Sequence, residues 1–500
     1  MTEQNTVATP SKARQDMSAD WQMIDDLLGG TAAMRSAGTR WLPKEEAESE
    51  SAYRVRLNRS FLYGALKDTM RRIRAKPFSQ PVKLAKQLEG RLDGLDKDVD
   101  GLGSDLTQFA DACFDSAQKR GLVHILVDYP DVSIPGETPE QRAARVTLAE
   151  EQAIKPYFVR ITADDMLDWE HEQMPGQGLR PSMIRFREWI TEPDGLWGKK
   201  LIEQIRVLRK TEWETYRYVE ADKAWKVHKQ GTNSLGFVPI STAYFARTGF
   251  MTAEPPHVEL AWLNVAHWCT SSDQNHILRF QRFGILFSKG FTKKENGDDA
   301  VIGPARWVHS ESASADMKVV EGSGAAISAG RQDILDVEAR MEVMRLQPLM
   351  ERVGDATATA RAIDESSAQN DVQAWIRQLE SALLSALGFA HKWVGSEQPK
   401  DQAVDIFSEF GLSQRAGDDI KNLLAMRMAN EITHRTFLTE IRRRALLSDS
   451  VDIEKELLEL EGTNTTDGNT GMPGASPTDP HNHADPTAGQ GQNGGAATAA

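Results

Sequence analysis

Gly195-Leu196-Trp197-Gly198-Lys199-Lys200 sets a glycine before a lysine as a phosphate-binding loop does. It lacks that loop's first glycine and the Ser or Thr after the lysine, so it is rejected as one. His257, His267 and His276 are spaced ten and nine apart, which does not bring three imidazoles together on one helix as metal ligands would require. His481 and His483 form an HNH triplet inside a tail rich in glycine, where incidental composition explains them better than a metal. Asp164-Asp165 and Asp298-Asp299 are acid pairs that suit either a cation or a solvated turn, and the turn is preferred. No GxSxG, HExxH or GxGxxG occurs. No metal and no cofactor is expected, and a structural role is preferred to an enzymatic one. The enzymatic alternative is a carboxylate- or metal-dependent hydrolase or nuclease built on a β-scaffold.

A dense basic face lies on SAYRVRLNRSFLYGALKDTMRRIRAKPF, with Arg54, Arg56, Arg59, Arg71, Arg72 and Arg74 opposite Val55, Phe61, Leu62, Leu66, Met70 and Ile73. Such a face touches nucleic acid or, more commonly, is solvated or pairs with acidic neighbours. The net charge of −14 argues against a general DNA-coating protein. It does not exclude a surface past which DNA slides, because each neutralised phosphate adds affinity and drag. Cys113 and Cys269 belong to no CxxC pair and read as buried thiols of a reducing compartment. No run of about 18 apolar residues suggests a membrane span, and the polar N-terminus carries no apolar signal-peptide core.

The elements that must position these residues centre on His257–Phe291, HVELAWLNVAHWCTSSDQNHILRFQRFGILFSKGF. After Pro255 and Pro256, apolar residues recur at helical spacing from Val258 to Cys269. Thr270–His276 has no apolar side chain, and the pattern resumes at Ile277 before a β-like Gly284–Phe287. Such a helix is about 40 Å long at 1.5 Å per residue. It is either a strut passing through a wetter, subunit-lined region or a kinked core helix.

Upstream, residues 1–18 read as disordered and Trp21–Leu42 as helical. Residues 104–120 read as a helix capped by Ser104 or Asp105 and stopped by Gly121, and LVHILVDYP as a buried strand. From Pro156 to Phe245 the period turns to two, predicting a β-meander with one buried face and a hairpin turn at Glu220–Lys223. Downstream, Ser328 or Ala329 opens a second helix limited by Pro348. A stripe from Val372 to Val394 predicts a long helix, and 412–460 a helical group. The last 40 residues lack Lys and Arg and should be disordered.

This order of elements resembles tailed-bacteriophage portal proteins, specifically a portal family formerly listed as of unknown function. The resemblance is carried by AGTRWLP, LAWLNVAHWCTSSDQNHILRFQRFGILFSKGF, EGSGAAISAGRQDILDVEARME and TATARAIDESSAQNDVQAWIRQLESALLSALGFAHKWVG, and spans roughly residues 30–460. It implies an α+β chain with a flexible N-terminal arm (1–35) and a wing (36–256). Stem helices lie within 257–346, at 257–283 and 330–346, with a clip-like β insert at about 284–310. A tunnel loop (347–362), a long helix (363–395), a helical crown (400–460) and a disordered tail (461–500) follow. It further implies a ring of commonly twelve subunits at one capsid vertex of a virion, assembled in the bacterial host cytoplasm and away from membrane. Double-stranded DNA passes through the channel without sequence specificity. Implied partners are the terminase large subunit, head-completion or adaptor proteins, and capsid and scaffolding proteins. By the same resemblance Arg352, Thr357, Thr359 and Arg361 face the DNA, although Arg352 and Arg361 pair equally well with Asp355, Asp364 or Glu365. Asp273, Arg279, Arg282, Lys289, Lys293 and Lys294 belong to the stem and clip. A head–tail adaptor or minor capsid protein is the neighbouring alternative.

Overall fold

A computed structural model describes residues 6–130, 154–176, 178–283, 285–289, 314–320, 324–346, 371–408, 416–429 and 431–443, with 447, 451 and 453–458. The chain is α+β and divides into two units, 1–412 and 413–500.

The first unit begins with three short helices, α1 (Lys12–Met17), α2 (Trp21–Leu28) and α3 (Gly30–Ala37). Trp21, Met23, Ile24, Leu27 and Met34 are buried. The expectation of a flexible arm over 1–35 is therefore corrected: one apolar face of α2 faces the core and ties this stretch down. Helix α4 (Glu50–Arg59) starts where Ser49 Oγ accepts from Ala52 N at 3.2 Å. Helix α5 (Ala65–Ala75) follows.

Helix α6 (Leu106–Arg120) opens on a capping box in which Asp105 Oδ1 accepts from Gln108 N at 2.7 Å, settling the cap as Asp105. It closes on Gly121 at φ 88°, where a Cβ would stand 2.0 Å from Glu254 O, so only glycine fits.

Two sheets form where the period-two pattern suggests one meander. Strand β2 (Leu122–Asp128) is flanked antiparallel by β3 (Tyr157–Thr162) and β9 (Ile240–Tyr244), in the order β3-β2-β9. The meander proper is β4 (Met166–Met174), β5 (Gly178–Asp194), β6 (Gly198–Arg209), β7 (Glu212–Val219) and β8 (Ala224–Thr232). Val219 pairs with Ala224, so Glu220–Lys223 is the expected turn, with Lys223 at φ 48°. Gly195–Lys200 lies at the tip of the β5–β6 hairpin and start of β6, with Leu196 and Trp197 fully exposed.

After the short hairpin of β10 (Arg247–Gly249) and β11 (Thr252–Ala253), two long helices form: α7 (Val258–Phe283) and α8 (Gly324–Leu346). Between them β12 (Ile285–Lys289) and β13 (Asp316–Val320) pair antiparallel, Ile285 opposite Val320. Helix α8 thus starts earlier than expected, and the returning strand of the insert lies beyond 310. Helix α9 (Asp371–Trp393) buries Ile376, Leu379, Leu383 and Leu387 against α6 and β2, forming the larger core. A second core joins α2, α5 and α7 through Leu27, Leu66, Met70 and Trp268. Residues 400–408, expected in the crown, belong to the first unit instead: β14 (Val404–Asp405) pairs with β1 (Lys83–Leu84). The second unit holds α10 (Ala416–Met428) and α11 (His434–Arg443).

Candidate functional site: the central helix pair

Helix α7 enters the fold at His257, whose ring packs on Trp375 and whose Nε2 lies 3.3 Å from Gln118 Nε2. Burial pulls the His257 pKa down to about 4, so the ring is neutral at pH 7. One turn on, Leu260, Ala261, Val265 and Trp268 face the second core. Asn264 is fully buried among them. Its Oδ1 accepts from Leu66 N at 3.0 Å and its Nδ2 donates to Tyr63 O at 2.7 Å, so it ties α7 to the start of α5.

The polar middle of α7, expected either as a strut through a wetter region or as a kinked core helix, is partly buried and partly exposed. The helix runs through Thr270–His276 without a break. Ser272 and Gln274 are buried, and each has a partner within this chain. Ser272 Oγ meets Ser60 Oγ at 2.8 Å, while Gln274 Nε2 donates to Ile327 O at 2.9 Å. Neighbours on α4 and α8 satisfy these groups, as burial demands. His267 Nε2 lies 3.1 Å from Glu338 Oε1. Because Gln274 meets Ile327 and His267 meets Glu338, α7 and α8 run antiparallel. Arg345, near the end of α8, donates to Asp68 of α5 at 2.5 Å.

Charge gathers beside this middle. Arg56 donates through Nε and Nη2 to Glu48 at 3.0 and 2.8 Å, and its Nη1 lies 3.5 Å from Asp273 Oδ1. The Arg56 hydrogen bond holds the Glu48 carboxyl below the usual range. Burial pushes Asp273 up, and the charges of Glu45 and Glu48 add to that. Glu45, Glu48, Asp273 and His276 line a cleft of about 540 Å³ here. Among the described residues no three His, Cys, Asp or Glu are grouped to hold a metal ion.

Of the residues expected in the stem, Asp273 stands at this cleft and Arg279 is exposed one and a half turns on. Lys289 is exposed at the end of β12. Arg282 lies in α7, with its side chain outside the description. Lys293, Lys294, Arg352, Thr357, Thr359 and Arg361 lie outside the described residues, as do Asp298-Asp299, His481 and His483.

The basic face is largely consumed by ion pairs: Arg54 with Glu50, Arg71 and Arg72 with Asp68, and Arg74 with Asp111 and Asp115. Asp164 of the first acid pair is held by Arg120, and Asp165 accepts from Thr162 Oγ1. Cys113 is buried, its thiol pushed up to about 12, and Cys269 Sγ donates to Trp41 O. No described helix is long and apolar enough to cross a membrane.

What sequence reasoning missed is the service of α4, α5 and α8 as partners of α7. Ser60, Tyr63 and Leu66 lie some 200 residues from the groups they bind, beyond any local pattern.

A family model described as a domain of unknown function, DUF4055, matches residues 256–394, the span of α7, α8 and α9. No curated protein matches the sequence. Among solved structures, a chain from a "Virion of native gene transfer agent (GTA) particle" aligns at 11% identity and TM-score 0.36, covering 84% of this chain and 99% of that one. A chain from a "Neck of empty GTA particle computed with C6 symmetry" aligns at 12% identity and TM-score 0.36, covering 81% and 96%. A chain from a "Neck of native GTA particle computed with C12 symmetry" aligns at 13% identity and TM-score 0.35, covering 82% and 98%.

Proposed function

We propose that this chain is a portal-type subunit of a tailed-phage virion, a non-enzymatic protein that closes into a ring at one capsid vertex. Its channel passes double-stranded DNA during packaging and ejection. Its exposed end docks the packaging terminase and later the head-completion proteins.

The observation that carries this function is the pair α7–α8. Two antiparallel helices of about 39 and 35 Å are prolonged at one end by the β12–β13 ribbon and anchored to the body at the other. Helix α8 buries only part of its large apolar side chains. Met341, Val337 and Met344 pack into the second core, whereas Leu335 and Val343 are 46% and 66% exposed. A long helix that leaves large apolar side chains exposed suits lateral packing against copies of itself, as a stem requires. On this basis α7 and α8 form the stem, β12 and β13 belong to the clip, α9 is the long helix, and α10 and α11 belong to the crown; the tunnel loop expected at 347–362 lies outside the described residues.

Negative-stain electron microscopy with light scattering on one purified fraction tests it. Rings with a central hole, at a multiple of 55.6 kDa near twelve, are expected. A monomer that persists at high concentration counts heavily against it.

A further inference from the structure

A groove of about 650 Å³ lies against β9, the outer strand of the three-stranded sheet. The start of β5 borders one side and the C-terminal half of α9 the other. Its floor is apolar, with Val238, Ile240 and Met251 buried. The rings of Phe237 and Phe389 form a wall, their centroids 5.4 Å apart. Three cations stand on the rim. Lys392 Nζ is 4.7 Å from the Phe237 centroid, and the Arg247 guanidinium is 4.8 Å from that of Tyr244. Arg180 is the third. Among the described residues no carboxylate lines the groove, although the chain carries a net charge of −14.

The backbone at the groove is also open. Val127 N donates to Pro239 O and Phe245 N donates to Gly121 O, so odd-numbered residues of this strand bond toward β2. In an antiparallel ladder the alternate residues point their backbone groups away from that partner. The N–H and C=O of Thr242 therefore face the free edge, beside the groove that Thr242 lines. An edge strand with open polar groups is a template for another strand.

We propose that this groove binds an extended acidic segment of a partner protein by adding it as a strand to β9. The segment's backbone bonds at Thr242. An apolar side chain of leucine or phenylalanine size seats beside Phe237 and Phe389. Its carboxylates meet Arg180, Arg247 and Lys392. Main-chain bonds supply affinity in this mode, and pockets for alternate side chains supply selectivity. A free small anion would satisfy the rim and leave both the edge and the floor bare. The groove lies within one subunit, so its test does not depend on ring formation.

Fluorescence anisotropy of the full chain with a fluorescein-labelled peptide of alternating glutamate and leucine tests the site. Saturable binding is expected, with no binding by the matching lysine–leucine peptide. Arg180→Glu combined with Lys392→Glu should weaken it at least about tenfold, or about 1.4 kcal/mol. Both positions are exposed, and an unchanged circular dichroism melt will show that the fold is kept. Methylating alternate backbone nitrogens of the peptide should abolish binding with the protein unaltered. Absence of saturable binding, or binding indifferent to the charge reversals, overturns the site. Full binding by the methylated peptide overturns strand addition.

Discussion

Asn264 shows how one side chain fixes a long helix. It spends both ends of its amide on the backbone of Tyr63 and Leu66 inside an otherwise apolar contact. Replacing it by Ala leaves the buried N–H of Leu66 unpaired, costing about 1–3 kcal/mol, whereas Tyr63 O still accepts from Ala65 N. Asn264→Ala should therefore lower the urea midpoint with little change in m. His257 makes a different prediction. Its pKa is about 4 in the fold against an ordinary 6.5, so the unfolded chain takes up a proton first as pH falls. The associated stability is intact above 6.5 and drains away between 6.5 and about 4. His124, buried in β2 and pulled down to about 3, acts in the same direction. Thermal melts from about pH 7 to pH 5 should show a smaller loss in His257→Gln than in the parent.

At the scale of elements, the α7–α8 contact is set by a close approach. A Cβ on Gly330 would stand 2.2 Å from Gln274 Oε1, and Gln274 is the residue that bonds Ile327 O. Gly330→Ala should displace that amide and cancel the gain of about 1 kcal/mol that alanine otherwise brings to a helix interior. With Gln274→Ala added, the clash is gone and the helix gain should reappear in the melting curve. A double-mutant cycle with non-zero coupling is the expected result, and additivity would mean that the two side chains do not compete. The paired acids beside α7 pull in opposite directions. Asp273, raised chiefly by burial, is penalised when charged, so Asp273→Asn should stabilise at neutral pH by about 1 kcal/mol or less. That gain should vanish as pH falls below the ordinary aspartate value of 3.8.

At the scale of the molecule, the proposed ring assigns its subunit contact to identifiable residues, the exposed Leu335 and Val343 of α8. Leu335→Glu and Val343→Glu leave the second core untouched, because neither side chain is part of it. They should shift light-scattering mass toward single subunits while far-ultraviolet circular dichroism stays as in the parent. Rings of undiminished mass would move the subunit contact to another face.

Periodicity in the sequence was enough for the helices α6 and α9, the two ends of α7, the strands of the meander and the Glu220–Lys223 turn, because apolar spacing and caps act over a few residues. The α+β class was implied by the family resemblance that the order of these elements carries, and the structure is of that class. Only the tertiary structure decided the rest. It split the period-two region into two sheets, because β2 takes β3 on one side and draws β9 to the other across more than 100 residues. It converted the expected N-terminal arm into core and gave the polar centre of α7 its partners on α4 and α8. It also gathered Arg180, Arg247 and Lys392 around one groove. Alternation records which face of an element is buried but not what buries it, and a polar side chain in a helix reads alike whether water or a distant serine satisfies it.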